Sequence, residues 1–386
     1  MATKTAANEA GIIPMTDYTG YLRGEKSPWM NWIQSQGVPI VTGVSLYDMY
    51  ETPLAEWGDT GAKAAIINFE TGEMSDAVLM EIPPGGQVKP IHHVFHKIIH
   101  VIEGRGATSV WNEGSKTKQT FEWQKGSLFN IPLNAWHEHF NGSGSERALL
   151  FAVTSAPLTM NFMPSNDFVF NNSYVFDNMF AGQDDFFSAE GQALSGRVWQ
   201  SNFIADLRAM ETELWRFRGV GGTNRMFSMG SGHFQAHISE FPSGTYKKAH
   251  RHGPGAHLFT LSGSGYTLEW NWGKELVEFP WKDGTVYTAL NSFWHQHFNT
   301  GPEAVRYLAI THGRYHAGLR ARPSPKQDAT LKEFGDEMNY EDEEAWVREK
   351  FQEQCGKRDV KVDSDKMNLE YEKSLPADSY LVHNQG

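Results

Sequence analysis

Short stretches in which apolar residues alternate with polar or small ones, separated by Gly or Asn turns, run through residues 62–156: AKAAIINFE, DAVLMEI, KIIHVIEG, ATSVW, QTFEW, SLFNIP and RALLFAVTS. A side-chain period of two over four to eight residues marks a strand with one face toward a core. The pattern returns over 226–318 in HFQAHISEF, AHLFTLSG, YTLEW, ELVEF, TVYTAL and RYLAITHG. The predicted class is therefore all-β, with two antiparallel barrels or sandwiches in tandem.

The flanking segments read differently. Residues 1–61 carry Tyr18, Tyr21, Trp29, Trp32, Tyr47, Tyr50 and Trp57 without a sustained period, which suits an arm laid on a neighbouring domain or subunit. Residues 157–225 form a linker of helical and irregular character, rich in Phe, Asn and Asp, whose aromatics either cover a barrel mouth or pack between domains. Residues 319–386 are a charged extension with a helix expected within LKEFGDEMNYEDEEAWVREKFQEQ.

The two strand-rich stretches are copies of one another. Glu81, Pro83, Gly85, Gly104, Gly106 and Trp111 match Glu240, Pro242, Gly244, Gly263, Gly265 and Trp270 at one constant offset. Gly126, Trp136, His137, His139, Phe140 and Asn141 match Gly284, Trp294, His295, His297, Phe298 and Asn299 at an offset one residue shorter.

Composition narrows the function. With Lys+Arg at 34 and Asp+Glu at 46 the net charge is -12, which argues against nucleic acid or an anionic membrane as partner. The lone Cys355 excludes an intramolecular disulfide and a Cys-rich zinc site and fits a reducing compartment, and the start of the sequence has no signal-like apolar run, so a cytoplasmic protein is expected. The 13 Trp and 24 Phe fit interiors filled with aromatics.

The candidate chemistry lies in GTYKKAHRHGPGAHLFTLSGSG, which places His250, His252 and His257 just ahead of a strand, with His295 following in SFWHQHFN. Neutral imidazole is a ligand for Fe, Mn, Ni, Cu and Zn, and residues two apart on a strand share a face. His257 follows Ala256, and the Gly253-Pro254-Gly255 bend gives it the freedom to turn in as a fourth donor or to stand behind the others. His297 shares the facing of His295 and is a candidate acid or base; Arg251, Arg306 and Arg314 are candidate carboxylate partners, with Arg251 the first choice. Trp270, Trp272, Phe293, Trp294 and Phe298 serve either as walls for a substrate or as core.

The runs Gly126-x5-Pro132-x-Asn134-x2-His137-x3-Asn141 and Gly284-x5-Leu290-x-Ser292-x2-His295-x3-Asn299 resemble the second cupin motif, and Gly244-x5-His250-x-His252-x3-Ala256-x6-Gly263 resembles the first, with alanine in the usual glutamate position. The chain therefore resembles a bicupin, which implies two double-stranded β-helix (jelly-roll) barrels and a ligand set of His250, His252 and His295. In the first copy the aligned positions are Ile91, His93 and His137, with Lys97 in the glutamate position; His93, His96 and His137 are a candidate second site. Cupins that resemble this chain in lacking the glutamate include gentisate- and salicylate-type ring-cleaving dioxygenases. That resemblance implies Fe(II), O2 and oxidative C–C cleavage of a small anionic substrate. A non-oxygenase isomerase, lyase or decarboxylase is the alternative, and a binding or storage bicupin a third. The family resemblance also suggests a homo-oligomer built on a dimer.

Overall fold

The computed structural model describes residues 3–5, 26–69, 74–195, 197–215, 218–230, 234–253, 255–271, 274–312, 336–363 and 367. It contains two barrels of one plan, each closed from two sheets. In the first, Gln119–Gln124, Arg105–Trp111, Trp136–Asn141 and Gln87–Ile91 make one sheet. Leu128–Ile131, Lys97–Glu103, Ala148–Thr154, Asp76–Ile82 and Lys63–Phe69 make the core of the other. The second barrel repeats this with Leu276–Lys282, Ser264–Trp270 and Trp294–Asn299 facing Thr223–Ser228, Phe234–Phe241, Val305–His312, His257–Ser262 and Val286–Thr288.

Strands such as Lys97–Glu103 and Ala148–Thr154 are buried almost throughout because both faces are covered. One face fills a barrel; the other enters an apolar layer between the barrels. Leu79, Ile98, Phe151 and Val153 from the first barrel meet Phe234, Ile238, Phe259 and Leu308 from the second in that layer. Fully burying each such side chain contributes roughly 1.5–3 kcal/mol, so the two barrels form one unit.

The repeat begins earlier than the strand pattern in the sequence suggests. Ile40–Gly43 runs parallel to Lys63–Phe69, and Val198–Gln200 runs parallel to Thr223–Ser228. The chain then crosses over: Ser45 and Leu46 pair with Tyr287 and Val286 of the second barrel, whereas Phe203 and Ile204 pair with Phe129 and Leu128 of the first. The Met49 amide donates to the Gly284 carbonyl just as the Leu207 amide donates to that of Gly126. Each repeat thus lends a leading segment to the other barrel. The described part of the arm is intrachain cover, with helix Pro28–Ser35 burying Trp29 and Ile33 against the first barrel.

The linker adds helices Ala156–Phe162 and Asn166–Phe170 over the first barrel's mouth, where Asn134 Nδ2 donates to the carbonyls of Asn172 and Tyr174. Asn134 and Ser292 occupy the motif position where glycine is usual, both with positive φ (59° and 63°). Asn tolerates that region best among side chains that can also bond locally, and here its amide anchors the cover. Helix Ala345–Gly356 lies within the expected C-terminal stretch and buries Val347, Phe351 and Cys355 against Tyr246, Tyr266 and Phe298 on the outside of the second barrel. Among the described residues no helix is long and apolar enough to cross a membrane.

Matched motif residues do matched structural jobs. A Cβ on Gly106 or Gly265 would fall within 2.6 Å of the indole of Trp123 or Trp281, so only glycine lets the ring lie across the strand. Asn141 Nδ2 donates to the carbonyls of Ile82, Pro83 and Glu146, and Asn299 Nδ2 to those of Phe241 and Glu303. Removing the amide orphans buried carbonyls at about 1–3 kcal/mol for each group. Asn299→Ala is expected to lose about 2–4 kcal/mol of stability in urea unfolding; a loss under ~0.5 kcal/mol would show that the turn holds without it.

Candidate metal centre

His250, His252 and His295 converge in the second barrel, their donor nitrogens all within 4.8 Å of one another. Two backbone bonds bring this about. The His250 amide donates to the His295 carbonyl at 3.1 Å and the His295 amide returns the bond at 2.8 Å, so the two residues stand directly opposite and their rings meet at 4.2 Å. The Ser292 amide donates to the His252 carbonyl at 2.9 Å and sets the third ring 4.8 Å from His295.

The proton positions follow from the partners. His250 Nδ1 lies 2.9 Å from the Lys248 carbonyl and His295 Nδ1 lies 3.1 Å from that of Phe293. A carbonyl only accepts, so both rings carry their proton on Nδ1 and present bare Nε2 lone pairs. Burial keeps the rings neutral: it holds His250 well below the usual histidine range, with Arg218 and the neighbouring rings adding to the effect, and brings His295 down to about 4 despite its carbonyl bond. Two neutral rings with Nε2 so oriented, and His252 converging on them, fit a transition metal of the Fe, Mn, Ni, Cu or Zn class.

His297 has a different partner. The Trp281 indole donates to Thr267 Oγ1 at 3.1 Å, and the same hydroxyl lies 2.9 Å from His297 Nδ1. The His297 ring stands 5.6 Å from that of His295. The first barrel repeats the arrangement through Trp123, Thr108 and His139.

Three sequence expectations need correction. His257 lies on the other face of its strand: its ring stacks on Phe69 at 6.1 Å in the layer between the barrels, while its neighbours Ala256 and Leu258 point into the second barrel. The strand's alternation holds from His257 onward, so its ring faces away from the triad. Burial pushes its pKa down to about 3, and neither ring nitrogen has a hydrogen-bond partner. Arg251 also turns away. Its guanidinium pairs with Asp336 at 2.8 Å and lies over the Trp294 ring, because the segment from Asp336 to Met338 pairs alongside Ala249–Arg251. Arg306 is structural too, bonding Glu240 and the carbonyls of Leu207, Arg208 and Met210. Trp270 and Phe298 pack outward under the C-terminal helix. Arg314 and Trp272 lie outside the described residues.

The cations near the triad are ones the sequence reading missed. Arg218 comes from the linker and Lys247 from three residues before His250; both are buried, and the positive charge of each depresses His295 and His297. Lys247 Nζ donates to Tyr307 Oη at 2.7 Å, and Arg218 pairs with Glu337 at 3.4 Å. Tyr287 and Tyr307 complete the interior beside His297. Arg218 carries no periodic or motif signal, because only the fold brings it here; Lys247 and Lys248 stand in the motif itself and were legible as basic.

In the first barrel His93 and His137 take the places of His252 and His295, with rings 5.2 Å apart. His96 does not join them in a three-donor group among the described residues; its backbone is tied to Ser155. Instead, Lys97 Nζ lies 3.1 Å from His137 Nε2. His92 bonds Asn134 and covers Trp136.

The placements separate in one experiment. His252→Ala and His295→Ala are expected to lower bound metal at least tenfold in elemental analysis, since each removes one of three ligands. His257→Leu should keep its metal and its fold, having lost only two unpartnered nitrogens. Metal loss in His257→Leu would return that residue to the coordination sphere.

Residues 68–176 match the family model described as Cupin. No curated protein matches the sequence. Among solved structures, oxalate decarboxylase from Bacillus subtilis at pH 4.6 aligns with 14% identity over 71% of this chain and 77% of that one, with a TM-score of 0.48. Another oxalate decarboxylase structure, described by an element that modulates proton-coupled electron transfer, aligns at 14% identity over 70% and 77%, again with a TM-score of 0.48. The segment matched by the family model is the first of two barrels with the same strand order and the same motif residues, so the fold is that of two cupin barrels in tandem.

Proposed function

We propose that the second barrel is the active centre of a metal-dependent enzyme acting on a small anionic substrate. The observation that carries this reading is the triad His250, His252 and His295 set beside the buried side chains of Arg218 and Lys247. Three imidazoles add no charge, so a divalent ion held there keeps its full charge and open positions, where it acts as a Lewis acid. A carboxylate or enolate offsets that charge and the charge of Lys247, with Arg218, itself paired with Glu337, close by.

The residues of the chain supply proton handling. His297, held at Nδ1 by the Thr267 hydroxyl, is the candidate acid or base, and Lys247 Nζ donates to Tyr307 Oη at 2.7 Å beside it. Groups of this kind are what a lyase, decarboxylase or isomerase needs beyond a metal, and they favour a non-oxidative reaction. Decarboxylation is also the activity in the names of the oxalate decarboxylase structures. Oxidative C–C cleavage at Fe(II) is the second reading, favoured by the lack of any carboxylate among the ligands.

Two measurements test this. Turnover of small carboxylic and hydroxy acids by the metal-loaded protein is expected to proceed without oxygen; strict dependence on O2 uptake would shift the assignment to the dioxygenase. Arg218→Met is expected to lower kcat/KM roughly 100-fold, chiefly through KM, with metal content unchanged, and Arg218→Lys to recover part of it. An unaltered KM in Arg218→Met would remove Arg218 from the substrate site.

A further inference from the structure

The two barrels differ at one row of residues that crosses three strands. In the first barrel Asp76 pairs with Thr154, and Thr154 with Lys97. In the second, Gln235 pairs with Thr311, and the residue before His257, Ala256, continues the row. The threonine is common to both copies. The acid and the ammonium are present together in one barrel and absent together from the other.

Lys97 takes up the lone pair that a metal would use. His137 Nδ1 lies 3.2 Å from the Ala135 carbonyl, so its proton is there and Nε2 is bare, as in His295. The Lys97 ammonium donates to that Nε2 at 3.1 Å. His93 is set in the same way, with Nδ1 2.9 Å from the Phe95 carbonyl. Its Nε2 has no hydrogen-bond partner and faces the charge of Lys97. The third ligand position of the second barrel, His250, is Ile91 here, which pairs with His137 as His250 does with His295. Burial pulls Lys97 down to about 7, and Asp76, which lies on the same row and accepts from the Thr154 hydroxyl, acts against that by favouring the ammonium.

We infer that Lys97, balanced by Asp76, is a tethered cation that occupies the metal's place in the first barrel, so that the chain binds metal in one barrel only and Lys97 is what keeps the other closed. A divalent ion entering beside His93 and His137 would meet the ammonium within a few ångströms, in surroundings where such repulsion is weakly screened. It would also have to displace a charge-assisted hydrogen bond. Exchanging the ammonium for a carboxylate removes both obstacles and supplies a third ligand. The inference concerns the first barrel alone and holds whichever reaction the second performs.

The test is metal content per chain of the full-length protein, measured by elemental analysis after loading with Fe(II) or Mn(II) and desalting. Wild type is expected to hold about one equivalent, and His93→Ala and His137→Ala the same, because the first barrel's imidazoles ligate nothing. His252→Ala is expected to fall to near zero, while His252→Ala combined with Lys97→Glu regains about one equivalent in the first barrel. Loss of metal in His93→Ala or His137→Ala, or about two equivalents in wild type, would overturn the inference. So would a folded Lys97→Glu double variant that stays metal-free. Should that variant fail to fold, by circular dichroism, the His93→Ala arm still decides, since it needs no change at Lys97. A wild type without metal in the second barrel would count against the proposed function and leave the Lys97→Glu comparison intact.

Discussion

Alternation of side chains along strands covered on both faces is the constraint on which this protein depends. Every central strand must give one set of residues to a barrel interior and the other to the layer between barrels, so no position is free to change sides. His257 and Ala256 are the plainest consequence: adjacent in sequence, one lies on Phe69 between the barrels and the other faces the interior. The exchanged segments around Ser45 and Phe203 reinforce the layer, because each repeat contributes a strand to the sheet of the other. Neither barrel is complete without the other half of the chain.

Within that frame the chemistry is decided by where imidazole protons sit. Backbone carbonyls fix the proton of His250, His295, His93 and His137 on Nδ1, and a tryptophan–threonine pair holds Nδ1 of His297 and His139. Both barrels inherited this wiring. They diverged in what meets the bare lone pairs: a third imidazole, His250, in the second barrel and an ammonium, Lys97, in the first. A duplicated fold has thus kept its hydrogen-bond scaffold twice and its capacity for a metal once.

Much of this was legible in the sequence, and what was not has physical reasons. Strand alternation, the glycine and asparagine motif positions and the repeat specified two barrels, and the spacing of His250, His252 and His295 specified the triad. The start of each repeat was hidden because its leading strands are short and the second of them pairs with the other barrel; the shared Glu51-Thr52 and Leu54 against Glu211-Thr212 and Leu214 were the overlooked sign. His257 misled because the strand's alternation holds from that residue onward. Arg251 misled because its partner, Asp336, is 85 residues away. Arg218 and Glu337 were invisible for the same reason: their meeting near His250 is a product of the fold, and no local pattern announces it.

The central claim is that one barrel holds a metal through three neutral histidines while the other is closed by its own lysine. Anomalous diffraction at the absorption edge of the bound metal, from crystals of the loaded protein, tests it most directly. The account predicts a single peak per chain, bonded to the Nε2 atoms of His250, His252 and His295, with Lys97 Nζ in contact with His137. A peak between His93 and His137, or a metal bound through His257, would contradict it.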